Sequence, residues 1–350
     1  MSVEKPAKTK VEQSRSGAMT SRGSAVAIAN LAGKSLGPNR GTSLNLDWVE
    51  QVKANSSAVE RRAATIGTRR TVKKDWQIAW LLRAITCMDL TTLSGDDTNE
   101  RVKRLCAKAR QPLQREIVLR LGIEDLKIRV GAVCVYHSFV GTAVRALEGS
   151  GIPVAAVSTG FPAGLSPLRE RISEIKSSVE AGAKEIDVVI TRGHVFGGEW
   201  QKLYDEIVEF KDACGPAHLK VILGTGDLMT LRNVGKASMV AMMAGADFIK
   251  TSTGKETVNA TLPIGLVMLR AIREYAEETE MAVGFKPAGG IRTAKQSLEW
   301  LTMMKEELGD AWLLPHLFRF GASGMLADIE RQLEFHVTGR YSAEHRHPLA

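Results

Sequence analysis

The chain has 350 residues, 44% hydrophobic and 25% charged, with four cysteines and a formal charge of +8. This composition excludes collagen, coiled-coil and wholly disordered classes, and the length suits one large α/β domain or two smaller ones. The longest nearly apolar stretch, residues 239–249, contains Asp247 and falls far short of the roughly 20 residues that span a bilayer, so no membrane span is expected.

The charge is unevenly placed. Residues 1–75 hold 14 Lys and Arg against 6 Asp and Glu, a net of +8, whereas residues 76–350 hold 33 of each. Residues 1–45 are rich in Ser, Lys, Arg, Gly and Pro, with Glu4 and Glu12 as their acids, and read as a flexible basic tail. The start lacks the compact apolar core of a secretory signal, so a cytoplasmic protein is expected, although this composition also loosely resembles an organelle transit peptide. The basic arm leaves open a second class of function, binding of nucleic acid or another anionic surface, which deletion of residues 1–45 would test. Nucleic acid is not expected as a partner of the remainder, where the charges cancel.

Residues 46–84 predict a helical extension, two helices around a basic connector, with Trp76, Trp80, Leu81 and Ala84 at helical spacing. From residue 85 onward the pattern changes. Eight short apolar, β-branched runs (85–90, 129–136, 154–158, 185–191, 219–224, 247–251, 281–286 and 317–321) alternate with amphipathic stretches such as 166–181 and 195–213. Alternation of this kind predicts parallel strands with right-handed helical crossovers. Eight βα units over residues 85–335 fit a closed (β/α)8 TIM barrel, and a doubly wound sheet is the weaker alternative because no GxGxxG turn follows the first run. Residues 336–350 read as a carboxyl-terminal tail with His345 and His347 solvated.

Cys87, Cys106, Cys134 and Cys214 are far apart and form no CxxC pair, which predicts reduced, buried thiols. The histidines are scattered, so neither a metal nor another cofactor is expected. His137 and His194 follow the second and fourth runs and are left without a role.

Charges inside the apolar runs are the informative residues. Asp89 ends the first run, Asp187 lies within the fourth, Lys250 ends the sixth and Lys286 the seventh. A lone Lys at a strand end usually faces solvent. In parallel strands covered on both faces, however, a charge is costly unless it is paired, and together these groups would compensate one another inside a barrel. Burial and a second nearby cation both disfavour a protonated amine. Lys250 beside Lys286 would then supply a neutral amine able to form a Schiff base, the electron sink for making or breaking a C–C bond. Asp187 would shuttle protons. Small-residue loops at 253–255, 288–292 and 321–324, with Lys255 and Arg292 beside them, suggest a phosphorylated substrate, since barrels place phosphate sites after the last strands. Cys134 has no base partner in sequence and reads as a lining residue.

Six segments, MDLTTLSGDDT (88–98), VCVYHSFV (133–140), GAKEIDVVI (182–190), GADFIKTSTGK (245–255), VGFKPAGGIRT (283–293) and RFGASGMLAD (319–328), closely resemble the deoxyribose-phosphate aldolase family. The resemblance covers about residues 76–330. The preceding AVERRAATIGTRRTVKKDW resembles the amino-terminal extension of longer members. It implies a metal-independent class I aldolase on a barrel, cleaving 2-deoxy-D-ribose 5-phosphate reversibly to D-glyceraldehyde 3-phosphate and acetaldehyde. By the same resemblance Lys250 forms the Schiff base, Lys286 perturbs it and Asp187 relays protons. Asp89, Thr91 and Cys134 then lie near the hydroxyl-bearing chain of the substrate, and Gly254, Lys255, Gly289, Gly290, Arg292, Gly321 and Ser323 around its phosphate.

Two departures stand out. Many members read GASS where this chain reads GASG, so Gly324 lacks a hydroxyl; and some bacterial members end in a tyrosine that reaches the active site, whereas this chain ends Pro348, Leu349, Ala350. Another Schiff-base barrel lyase for a different phosphorylated sugar stays as an alternative. A homodimer is also considered, with the Met-rich segment 238–245 as a candidate contributor.

Overall fold

The computed structural model describes residues 36–69 and 72–348. Of the expected tail, residues 1–35 lie outside the described residues. Seven strands form one parallel sheet in chain order: β1 (Asp89–Thr91), β2 (Ala132–Tyr136), β3 (Val154–Ser158), β4 (Glu185–Val189), β5 (His218–Ile222), β6 (Phe248–Lys250) and β7 (Gly284–Lys286). The eighth run closes the ring. Phe320 bridges in parallel to Met88, and Phe318 to Phe285. The Asp89 N–H donates to the Phe320 carbonyl at 2.9 Å, and the Arg319 N–H to the Phe285 carbonyl at 3.1 Å. The fold is therefore a (β/α)8 barrel.

Local sequence explains the alternation. The strands are short runs buried on both faces, as in Val154–Ser158 and Glu185–Val189, where every residue is buried. Several of the crossover helices start at threonine caps. Thr98, Thr230, Thr261 and Thr293 each accept a hydrogen bond from the N–H three residues on, and Gln296 completes a capping box with Thr293. Most of the apolar core lies between the strands and the surrounding helices. A second, smaller cluster of Cys134, Ala155, Val157, Phe161, Val189 and Ile222 fills part of the barrel interior.

The structure differs from the sequence reading at both ends. Residues 36–45 are docked, not a free tail: Gly37–Pro38 pairs in parallel with Met281–Ala282. The buried Asn39 amide donates to the carbonyls of Met242 at 2.9 Å and Ala246 at 2.8 Å, and its oxygen accepts from the Tyr275 hydroxyl at 3.0 Å. Among its described residues the extension holds four helical segments, Leu46–Gln51, Ser56–Ala64, Ile66–Arg69 and Lys74–Thr86, rather than two. The last of these runs through Ile85 and Thr86, so β1 begins at Asp89 and Asp89 opens its strand. A short apolar run carries no period that separates a helix end from a strand start. Trp76 is 74% exposed; the buried face of that helix is Leu81, Leu82, Ala84 and Ile85.

At the other end, His347 is not solvated. It is 2% exposed, its Nε2 lies 2.7 Å from the Ser342 hydroxyl and 3.0 Å from Glu334, and its Nδ1 lies 3.5 Å from Glu330. The last helix, Met325–Thr338, also extends past the expected domain end. The segment considered for a dimer contact is instead interior. Met239, Val240, Met242 and Met243 are fully buried within the chain. No helix among the described residues is long and apolar enough to cross a membrane.

Candidate active site

Side chains alternate across a strand, so residues two apart share a face. Val189 of β4 and Ile222 of β5 line the barrel interior, and the same parity turns Asp187, Glu185 and Lys220 inward. The register sets Asp187 beside Lys220 and Lys250 beside Lys286. One carboxylate oxygen then joins the two lysines: Asp187 Oδ2 lies 2.8 Å from Lys250 Nζ and 2.7 Å from Lys286 Nζ. Lys286 Nζ also donates to Asp89 Oδ2 at 2.5 Å. The structure thus brings Asp89, Asp187, Lys250 and Lys286 together, all buried.

Three further charges lie in the same interior, and the sequence reading passed over them. Arg319 contacts Asp89 Oδ1 and Glu185 Oε1, each at 2.7 Å. Lys220 pairs closely with Glu185 and lies 3.4 Å from Asp187 Oδ1 and 3.9 Å from Asp89 Oδ2. Their signal was of the kind used for the others: Glu185 lies two residues before Asp187, Lys220 two before Ile222, and Arg319 sits between Phe318 and Phe320. Among the described residues the cluster therefore holds four basic side chains (Lys220, Lys250, Lys286, Arg319) and three carboxylates (Asp89, Asp187, Glu185).

Electrostatics divides the lysines. Burial penalises the charge on Lys250, and together with the nearby Lys286 cation it outweighs Asp187, so the Lys250 amine is held below its ordinary value. Burial opposes the Lys286 charge too, but Asp187 and Asp89 overcome it and raise that group, which stays a cation. Both aspartates are desolvated yet held below the usual carboxylate range, Asp187 by Lys250, Lys286 and Lys220 and Asp89 by Lys286, Arg319 and Lys220. The count agrees with this division. Three carboxylates balance three cations, and Lys250 contacts one carboxylate, whereas Lys286 contacts two and Lys220 reaches three.

The remaining candidates stand around this cluster. Cys134 of β2 is buried on the interior wall, and burial with the nearby Asp187 pushes its thiol up to about 11. The Thr91 hydroxyl donates to the Asp89 carbonyl at 2.8 Å, and the Thr91 N–H donates to the Ser323 hydroxyl at 2.7 Å. The three small-residue loops meet. Gly289 N–H donates to the Gly321 carbonyl at 3.2 Å, and a Cβ on Gly254 would lie 3.9 Å from Gly289 Cα. At Gly289 the backbone is left-handed (φ +74°) and a Cβ would meet Asn259 at 2.8 Å, so this close approach requires glycine. Gly290 is also left-handed, at φ +80°. Lys255 and Arg292 are exposed, and among the described residues neither is held by an ion pair. Gly324 is exposed with open space at its Cβ position.

His137 and His194 each face a carboxylate, Glu174 at 3.3 Å and Glu199 at 3.2 Å. Tyr341 stacks on Phe335 at 4.3 Å, nearly three turns along the last helix from Met325. Among the described residues no group of three or more His, Cys, Asp or Glu is placed to hold a metal ion. A surface cavity of about 900 Å³ lies apart from the charged cluster, between Leu82, Arg83, Leu121, Leu126 and Val337.

Comparison with known proteins identifies the family and the fold. Residues 83–327 match the family model described as DeoC/LacD family aldolase. A deoxyribose-phosphate aldolase of Homo sapiens is 59% identical over 314 residues, covering 89% of this chain and 99% of that protein. One of Mus musculus is 60% identical over 313 residues, covering 89% and 98%. Among solved structures, a putative deoxyribose-phosphate aldolase of Toxoplasma gondii superposes with a TM-score of 0.64 at 22% identity, covering 77% of this chain and 98% of that one. The tetrameric deoxyribose phosphate aldolase of Aeropyrum pernix gives 0.54 at 23% identity, covering 80% and 99%; both share the fold. A charged barrel interior, loops converging at its strand ends and these relatives together place the chain in the DeoC/LacD family of aldolases.

Proposed function

We propose that the chain cleaves 2-deoxy-D-ribose 5-phosphate reversibly to D-glyceraldehyde 3-phosphate and acetaldehyde through a Schiff base at Lys250. The observation that supports it most is a buried amine whose proton is the surplus charge in a cluster otherwise balanced three against three. A neutral Lys250 attacks the aldehyde carbon of the open-chain sugar and, with uptake of one proton and loss of water, forms an iminium; that proton is given back when water later restores the neutral amine. Withdrawal of electrons into this cationic nitrogen breaks the C2–C3 bond as the C3 hydroxyl loses its proton. Glyceraldehyde 3-phosphate leaves. The remaining enamine takes a proton on carbon, and water releases acetaldehyde and restores the amine.

Asp187, bonded to both amines, relays these protons, and its buried Oδ1 faces Lys220 at 3.4 Å. Lys286 stays cationic and keeps Lys250 deprotonated. Thr91 and Cys134 border the sugar chain, and Asp89 holds Lys286. The phosphate is received at the small-residue loops around Gly254, Gly289, Gly290 and Gly321, by Ser323, and by Lys255 and Arg292, which form no ion pair among the described residues. The corresponding role is deoxyribose catabolism in the cytoplasm, with no resident cofactor.

The test is borohydride reduction in the presence of substrate or acetaldehyde, followed by peptide mass mapping. Added mass at Lys250 is expected. An unlabelled Lys250 in an active enzyme rules the reading out. Ribose 5-phosphate serves as the specificity control: it differs by one added C2 hydroxyl, which a shaped pocket rejects by about 10²-fold.

A further inference from the structure

The charged cluster is layered. Lys250 lies at one end of a continuous chain of ion pairs that runs through Asp187, Lys286, Asp89 and Arg319 to Glu185. Glu185 opens β4 and Arg319 lies in the eighth strand two residues before Gly321, so this pair forms the floor beneath the lysines. Arg319 is 5% exposed and Glu185 4%, and an arginine does not give up its proton in a protein.

We propose that Arg319 and Glu185 are positioning residues that set the proton occupancy of Lys250 through the charge count of the barrel interior. The inference rests on the Schiff-base reading of Lys250. Around that amine the ionisable groups are Asp187 and Glu185 of β4, Lys220 of β5, Lys286 of β7, Asp89 of β1, Cys134 of β2 and Arg319 of the eighth strand; β3 contributes Ala155 and Val157 to the interior. With Lys250 neutral, three cations face three carboxylates. Arg319 is the cation in that balance that no pH change removes, and it takes Asp89 Oδ1 and Glu185 Oε1 out of reach of the lysines. Without it, two cations would face three carboxylates, and a proton on Lys250 would restore balance. Without Glu185, three cations would face two carboxylates, and a proton on Lys250 would cost more.

The two floor residues therefore act in opposite directions, a signature that damage to packing does not share. The experiment is the pH profile of kcat/KM, whose acid limb reports the free-enzyme amine. For Arg319→Gln the acid limb is expected to move up by about one pH unit or more, and for Glu185→Gln to move down. Arg319→Lys, which keeps the charge, should leave it near wild type. If Arg319→Gln does not fold, the downward shift of Glu185→Gln decides alone. Limbs that stay in place, or move in the same direction, overturn the proposal. Borohydride trapping of the unaltered enzyme separates the two levels. No adduct at Lys250 sinks the Schiff-base reading, whereas an adduct with stationary limbs sinks this inference only.

Discussion

Lys286→Met should starve the barrel of free amine at Lys250. Both lysines contact Asp187 Oδ2, at 2.8 and 2.7 Å, so their nitrogens are at most about 5.5 Å apart. Two unit charges at that separation repel by about 3 kcal/mol at an effective dielectric of about 20, and less separation raises the figure. Removing Lys286 removes that repulsion and leaves Asp187 with Lys250 as its nearest cation. Since each 1.36 kcal/mol is a factor of about ten in protonation, the neutral fraction of Lys250 at a fixed pH below the shifted midpoint falls about 100-fold. The assay is kcat/KM for aldol cleavage across pH 5 to 10, with borohydride trapping at each pH. The variant should lose about two decades at neutral pH and recover them as alkali deprotonates Lys250. Lys286→Arg, still cationic, should keep the wild-type limb, and thermal unfolding of each variant controls for damage to the buried cluster. A Lys286→Met enzyme with an unmoved acid limb would refute the electrostatic coupling even if its rate were low.

Other substitutions test other parts of the structure. Asp187→Asn should lower kcat by about 10²–10⁴-fold through slow proton transfer, with the fold retained; an unchanged kcat would remove Asp187 from the relay. Asn39→Ala strips partners from two carbonyls and a buried tyrosine hydroxyl, so chemical denaturation should show a loss of about 1–3 kcal/mol, and a neutral result would show that the Asn39 hydrogen bonds add nothing. All four cysteines are free and buried, and burial pushes Cys87 and Cys214 up to about 12 and Cys106 up to about 11. Folded thiols with raised pKa values contribute stability that is intact below the unfolded value near 8.5 and is lost as pH rises from there toward 11–12. Urea midpoints should therefore decline above about pH 8.5, and an aromatic disulfide reagent should find no thiol in the native protein. Rapid reaction of one equivalent would contradict the burial.

Much of the fold was legible because a buried parallel strand leaves a continuous apolar run and each crossover helix leaves a 3.6-residue period. The candidate lysines and Asp187 were legible for a related reason, since a charge inside such a run has to be explained. Glu185, Lys220 and Arg319 obey the same logic but sit at run starts or between aromatics, where a solvated or capping position is equally consistent with sequence. The extension was legible only as helical. Trp76 has the spacing of a buried face and is exposed, because the surface on which that helix packs comes from distant parts of the chain. Likewise the docking of Asn39 over 200 residues away, at Met242 and Ala246, leaves no local trace.

By itself, then, the sequence determined eight βα units, a basic excess confined to the first 75 residues, and aspartate and lysine side chains of one parity on neighbouring strands. Tertiary structure decided which of these charges meet. Pleating sets whether a side chain points inward, a local property with period two. Closure of the barrel sets the stagger between strands, and that places Lys250 and Lys286 on a single oxygen of Asp187 and Arg319 between Asp89 and Glu185. A 2.7 Å contact between residues 230 positions apart depends on closing the ring, and the lowered proton affinity of Lys250 is a property of that closed ring rather than of any segment within it.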